Sequence, residues 1–175
     1  MSSYYLKSET SEGKAVNLLK KQASGVIAWI TGNKKNLKAV ELVYLPYWCF
    51  EYQLMSKNIK KAVSGKIAIE SYQETPAILP KDTKYFETVE GMELLPVGND
   101  PNTERAYQLI YWDAFFHEKK KSKINIFIDE PFLLYVPYWI GYFEEDELDI
   151  AVVDATSGKI DMPMKSSIIK ALCNN

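Results

Sequence analysis

A five-residue signature that occurs twice does most to restrict what this chain can fold into. Tyr44-Leu45-Pro46-Tyr47-Trp48 returns as Tyr135-Val136-Pro137-Tyr138-Trp139, an offset of 91 residues. The same offset carries Lys14, Ala15, Leu18, Leu19 and Ala23 onto Arg105, Ala106, Leu109, Ile110 and Ala114, and Leu42-Val43 onto Leu133-Leu134. A third block, Ala62 to Ile67, matches Ala155 to Ile160 at five of six positions with the offset now 93. A longer hairpin loop explains the two extra residues, because loops tolerate insertion at little cost. Repetition in register predicts two copies of one unit, over 9–79 and 100–175, joined by a linker at 80–99 and packed as one body.

Hydrophobic period sets the elements inside each copy. Glu12 to Ile30 places Ala15, Leu18, Leu19, Ala23, Val26, Ile27 and Ile30 at helical spacing, and Thr31-Gly32-Asn33 supplies the stop. Val40 to Leu54 is rich in β-branched and aromatic residues and predicts a long strand, covered on both faces over its first half. Ile59 to Tyr72 returns as a second strand, with Ser64-Gly65 as a bend or short turn. The linker holds Pro80, Gly91, Pro96 and Gly98 and a short apolar run at Met92 to Val97. Asp100-Pro101 opens the second helix as N-cap and first helical residue. Strands follow at Lys123–Asp129, Pro131–Phe143, Leu148–Ala155 and Ile160–Met164, then a short helix at Ser166–Leu172. The polar residues 32–38 predict that the first copy shortens or loses the counterpart of the Lys123–Asp129 strand. The fold class is α+β: a tandem duplication of a helix plus an antiparallel three- to four-stranded sheet, related by a pseudo-twofold.

Within a strand, residues two apart share a face. Tyr44, Pro46 and Trp48 therefore lie together, as do Tyr135, Pro137 and Trp139, while Tyr47 and Tyr138 point the other way. Proline cannot donate to a ladder, which predicts a sheet edge or a bulge at both signatures. Two readings of these eight residues compete. In the first they are packing: each Trp is buried under the helix of its own copy, with the indole N–H and phenol O–H reaching the surface. In the second they line a paired aromatic groove near the pseudo-twofold, suited to a peptide, lipid or flat ligand. An edge strand broken by Pro would also accept a partner strand.

Catalytic constellations are thin. His117 is the single histidine, so a triad or a multi-histidine metal site must use it or is excluded. It reads as a structural residue beside Lys119-Lys120-Lys121, which suits a solvated helix C-terminus. Cys49, between Trp48 and Phe50, reads as a small core residue. Asp154, Asp161 and the tip Glu144 to Glu147 lack the alternation of an EF-hand loop and read as solvated turns. There is no Gly-rich phosphate loop, no nucleophile elbow and no Cys-x-x-Cys. Neither catalysis, nor a metal, nor a cofactor is expected. A net charge of −2 and a pI near 5.6 argue against nucleic acid as a partner, even though Lys34, Lys35 and Lys38 lie near aromatics. No run reaches the roughly 18 apolar residues that a spanning helix needs. With a polar start at Met1 to Thr10 and two cysteines in no redox spacing, a cytoplasmic location is expected.

The segment Leu148 to Ile160, with Asp154-Ala-Thr-Ser-Gly158-Lys159 at its turn, resembles the closing hairpin of PepSY-type modules. The first copy keeps Ala62, Ser64, Gly65 and Lys66 but has Lys61 where the Asp would stand. The resemblance spans one hairpin per copy and implies a small αβ module without catalysis, linked to protease inhibition or to regulation of a partner. The Tyr-x-Pro-Tyr-Trp strand with its Ser-Gly-Lys turn is also similar to segments of bacterial proteins that carry zinc ribbons. The ribbon cysteines are missing here, so no zinc function carries over.

The sequence thus leads to a non-enzymatic binding or regulatory protein recognising a protein or peptide partner through Tyr44, Pro46, Tyr47, Trp48, Tyr135, Pro137, Tyr138 and Trp139. The alternative is an assembly protein that forms a homodimer through a sheet edge.

Overall fold

In the structure, a computed structural model, residues 3–23, 36–56, 62–80, 82–87, 91–117, 123–144 and 148–174 are described. In chain order they form β1 (Ser3–Tyr5), α1 (Glu12–Ala23), β2 (Asn36–Ser56), β3 (Val63–Glu70), β4 (Pro76–Leu79), β5 (Glu93–Leu94), α2 (Thr103–His117), β6 (Ile124–Ile128), β7 (Phe132–Glu144), β8 (Leu148–Asp154), β9 (Lys159–Ile160) and α3 (Lys165–Cys173). One large curled, mostly antiparallel sheet in the order β4-β3-β2-β7-β8-β9 makes this an α+β fold. No described helix is long and apolar enough to cross a membrane.

The two signature strands, β2 and β7, sit side by side at the centre of the sheet. Leu45 faces Val136, flanked by Tyr44 opposite Pro137 and Pro46 opposite Tyr135. Both prolines thus lie in central strands, against the expected edge or bulge; the irregularity in this ladder is at Leu37/Ala39. The reason is where the missing donor falls. The Pro46 carbonyl accepts from Ser71 N, on the outer side of β2, so the proline nitrogen also faces that side. There the neighbour changes from β5, paired at Val43 and Tyr44, to β3, whose pairing begins at Tyr47. Pro137 sits at the matching change from β1 to β8, and its carbonyl accepts from Ala155 N. A proline costs a ladder bond only where a partner strand waits for its N–H, and at both positions none does.

The pleat sorts the core between two faces. On one face Tyr44, Trp48, Phe50, Ile67, Ile69, Leu133 and Tyr135 pack under Ala106, Ile110 and Ala114 of α2. Beside them Phe143, Ala151, Val153 and Trp139 pack under Leu19 and Ala23 of α1. Gly141 lets α1 settle, since a Cβ there would lie 2.9 Å from both Leu19 methyl carbons. This pairing reverses the expected one: each signature Trp is covered by the helix of the other half of the chain. α1 leans on β7, β8 and β9 and also on the first residues of β2, and α2 on β3 and β6. Fully burying an aromatic of this size is worth about 3 kcal/mol relative to exposure.

Two local expectations change. The second helix is capped by Asn102, whose Oδ1 accepts Arg105 N at 2.9 Å, and not by Asp100. Ser64-Gly65-Lys66 lies inside β3, with Gly65 opposite Tyr52, where a Cβ would be 2.3 Å from the Tyr52 ring. Ser157-Gly158-Lys159 instead turns the chain from β8 into β9, and Gly158 adopts φ +68. These two similar stretches therefore occupy different places. Of the polar stretch 32–38, residues 36–38 open β2 and 32–35 lie outside the described residues; β6 and β7 share the flank of β2, with Asp129 N bonding Glu51 O between them. Val26, Ile27, Ile30 and the stop at Thr31-Gly32-Asn33 lie outside the described residues.

Candidate functional site

The other face of the sheet carries Val43, Leu45, Tyr47, Cys49, Ala68, Leu134, Val136, Tyr138, Ile140, Ile150 and Val152. α3 covers part of it through Met164, Ile168 and Ala171. Beside α3 this face opens into a cavity of about 480 Å³. Tyr47, Tyr138, Val136 and Ala68 form its sheet side. Leu6, Lys7 and Glu9, between β1 and α1, close one flank, and Ala77 to Pro80 with Thr83, Lys84 and Phe86 close the other. Asp154 and Thr156 complete the lining.

At the floor the two signature phenols meet, with Tyr47 Oη 2.7 Å from Tyr138 Oη. Tyr47 also donates to Met164 Sδ at 3.3 Å, so Tyr138 is the donor within the pair. Burial holds both phenols well above the usual tyrosine range, and nearby acids, among them Glu70 and Asp161, add to it. Each is therefore a neutral hydrogen-bonding group and not a base at ordinary pH.

Two carboxylates flank this pair, each closing the hairpin end next to its Tyr. Glu70, opposite Tyr47, is fully buried; it accepts from Tyr72 N at 2.6 Å, Gln73 N at 2.8 Å and Ser167 Oγ of α3 at 2.8 Å. Asp154, opposite Tyr138, accepts from Thr156 N at 2.8 Å, Thr156 Oγ1 at 2.7 Å and Ser157 Oγ at 2.7 Å. The turn that carries the PepSY resemblance is thus a carboxylate-capped turn. Asp161 accepts from Met164 N and is raised above the usual carboxylate range, chiefly by burial. These oxygens are spent on local turns, and no cluster with metal-ligand composition occurs among the described residues.

Of the eight signature residues, only Tyr47 and Tyr138 line the cavity. Tyr44, Trp48 and Tyr135 are buried on the helix-covered face, and Trp139 is half-buried there. Their polar ends point inward to backbone rather than out to water: Trp48 Nε1 donates to Asn99 O at 2.7 Å and Trp139 Nε1 to Thr10 O at 2.8 Å. Pro46 and Pro137 are buried in the ladder. Cys49 is fully buried and its thiol is pushed up to about 12, mainly by burial. The His117 side chain, Lys34, Lys35, Lys119 to Lys121 and Glu145 to Glu147 lie outside the described residues.

Sequence reasoning missed Leu6, Lys7, Ala68, Ala77 and Lys84. They come from a strand exit, an interior strand, an edge strand and a loop, which share no period. A usable signal was the mismatch between the ends of the two halves: Lys165 to Cys173 is helical, whereas the stretch after β4 carries Pro80 and no apolar period. No family model, curated protein or solved structure matches the chain.

Proposed function

We propose that this chain is a non-enzymatic binding protein built as a tandem duplication, and that its site is the Tyr47–Tyr138 cavity. Contacts that come in matching twos support the duplication. Leu95 N bonds Tyr44 O as Leu6 N bonds Tyr135 O, and Asn99 N bonds Ser71 O as Thr10 N bonds Ala155 O. With Leu45 opposite Val136 as the centre, Tyr47 corresponds to Tyr138, Glu70 to Asp154, and Ala68, paired with Cys49, to Val152, paired with Ile140.

One observation carries the functional reading. α3 rests on β8 beside Val152, with Met164 on Tyr47 and Ser167 on Glu70. The counterparts of those three anchors, Ala68, Tyr138 and Asp154, all line the cavity. The site is the seat that α3 fills in one half and that no described helix fills in the other, an apolar surface built to be covered. Its volume falls in the small-molecule range of roughly 300–1,000 Å³, while a helix with side chains is about 10–12 Å across. This keeps the expected role for the aromatic strands but narrows the partner from a protein or peptide to a small apolar molecule.

Titration calorimetry with decan-1-ol tests it. One molecule should bind per chain, and Ala77→Trp, which fills the cavity from an edge strand, should weaken binding at least tenfold while the melting temperature holds. Equal binding by Ala77→Trp sinks the proposal, as does the absence of binding by both decan-1-ol and decanoate.

A second reading, assembly through a sheet edge, is favoured by Ile78. It lies on β4, the terminal strand of the sheet path, and is 72% exposed. Sedimentation equilibrium decides it: a dimer abolished by Ile78→Lys supports that reading, and a monomer at all concentrations removes it.

A further inference from the structure

A single antiparallel bridge joins the two walls of the cavity. Tyr5 N bonds Phe86 O at 2.9 Å and Phe86 N bonds Tyr5 O at 3.0 Å. Two residues after Tyr5 stands Lys7 and two residues before Phe86 stands Lys84, so the antiparallel sense of the bridge sends both lysines toward the same side of the cavity. Both line the cavity and both are exposed. Neither has an ion pair among the described residues, whereas Lys38, Lys66 and Lys165 are matched with Glu144, Glu51 and Asp149. Like charges brought together across strands repel. The arrangement makes sense when an anion lies between them.

The rest of the lining sets the shape of that anion. Away from the lysines the apolar walls are Leu6, Ala68, Ala77, Leu79 and Val136, and the hydroxyls beside them, on Tyr47, Tyr138, Thr83 and Thr156, already donate within the protein. The remaining charges are Glu9 and Asp154. Glu9 N bonds Ala155 O, which holds Glu9 next to Asp154 at the β8 end. The cavity is thus cationic at the bridge between β1 and Phe86 and anionic at the far end, so a second negative group there would be repelled.

We propose that the ligand is an amphiphile with one anionic head group, held between Lys7 and Lys84, and an uncharged apolar body lying over Tyr47, Tyr138 and Val136. This rests on the cavity being the site. It assigns the orientation, the sign of the head group and the restriction to a single charge.

Calorimetry at low salt with decanoate, decan-1-ol and decanedioate tests it, all below their aggregation limits. Decanoate should bind at least tenfold more tightly than decan-1-ol and than decanedioate. In Lys7→Gln/Lys84→Gln the preference for decanoate over decan-1-ol should shrink to within about twofold. Lys7→Arg/Lys84→Arg should restore the preference, which guards against a merely structural effect. If decanoate and decan-1-ol bind equally well to the unaltered protein, or the preference survives in the Gln pair, the head-group assignment falls while the site stands. If neither compound binds, the site falls as well.

Discussion

The two faces of the sheet are finished differently. On one, α1 and α2 cover matching ground: Trp139 lies under one helix and Trp48 under the other, each indole bonded to the backbone that leads into that helix. On the other, α3 covers the ground beside Tyr47 and Glu70, and no described helix lies over the cavity beside Tyr138 and Asp154. A face covered twice is committed to stability. A face covered once retains an apolar surface lined by charges that the fold itself does not use. Glu70 and Asp154 condense the contrast, since each caps its own hairpin end but only Glu70 is also gripped by a helix.

Four measurements break or sharpen this contrast. The largest effect belongs to the helix-covered face. Phe50→Ala removes a fully buried ring and should cost about 4 kcal/mol in urea unfolding, whereas Val136→Ala, beside an existing cavity, should cost under about 2 kcal/mol. Equal losses would erase the distinction. Next come the two carboxylates. Glu70→Ala strands three donors under α3 and should cost about 3 kcal/mol, while Asp154→Ala, whose donors can turn to water, should cost about 1 kcal/mol.

The third effect is a slope with pH. Tyr47 and Tyr138 have folded values above the unfolded one near 10. Their contribution is therefore complete below pH 10 and is lost as the pH rises through the folded values. The melting temperature should fall above pH 10, and fall less steeply in Tyr47→Phe/Tyr138→Phe. Tyr85 and Tyr142, also raised by burial, will keep part of the slope. The smallest is chemical. Iodoacetamide at pH 8 should label exposed Cys173 and leave Cys49 untouched, since the buried thiol stays protonated. Labelling of Cys49 in the native protein would mean that the cavity face opens.

What the sequence made legible was local. The repeated signature, the helical period from Ala15 to Ala23 and the alternation at Ile124, Ile126 and Ile128 all appear where they are read. Proline misled because its rule concerns one side of one residue: whether a donor is missed at Pro46 depends on β5 ending and β3 beginning there. The Trp-to-helix pairing was invisible for the same reason, since equal spacing within a half says nothing about which half a helix crosses to. Ser64-Gly65-Lys66 matched Ser157-Gly158-Lys159 by residue type alone, one pressed against Tyr52 and the other turning a hairpin. The cavity was least legible of all, because its walls come from a strand exit, an interior strand, an edge strand and a loop that share no period.

The exchange of helices between halves fixes a timetable for the nascent chain. Leu19 finds its companions Phe143, Ala151 and Val153 only after more than 120 further residues have been made. At roughly 5–20 residues per second that is on the order of ten seconds, during which the apolar stripe of α1 has only Leu37 and Val40 of β2 to lie on. α2 has no such wait, because β3 precedes it. Contacts this distant in sequence also slow the search once the chain is free. Expression temperature and chaperone supply should therefore govern the yield of this protein more than its final stability does.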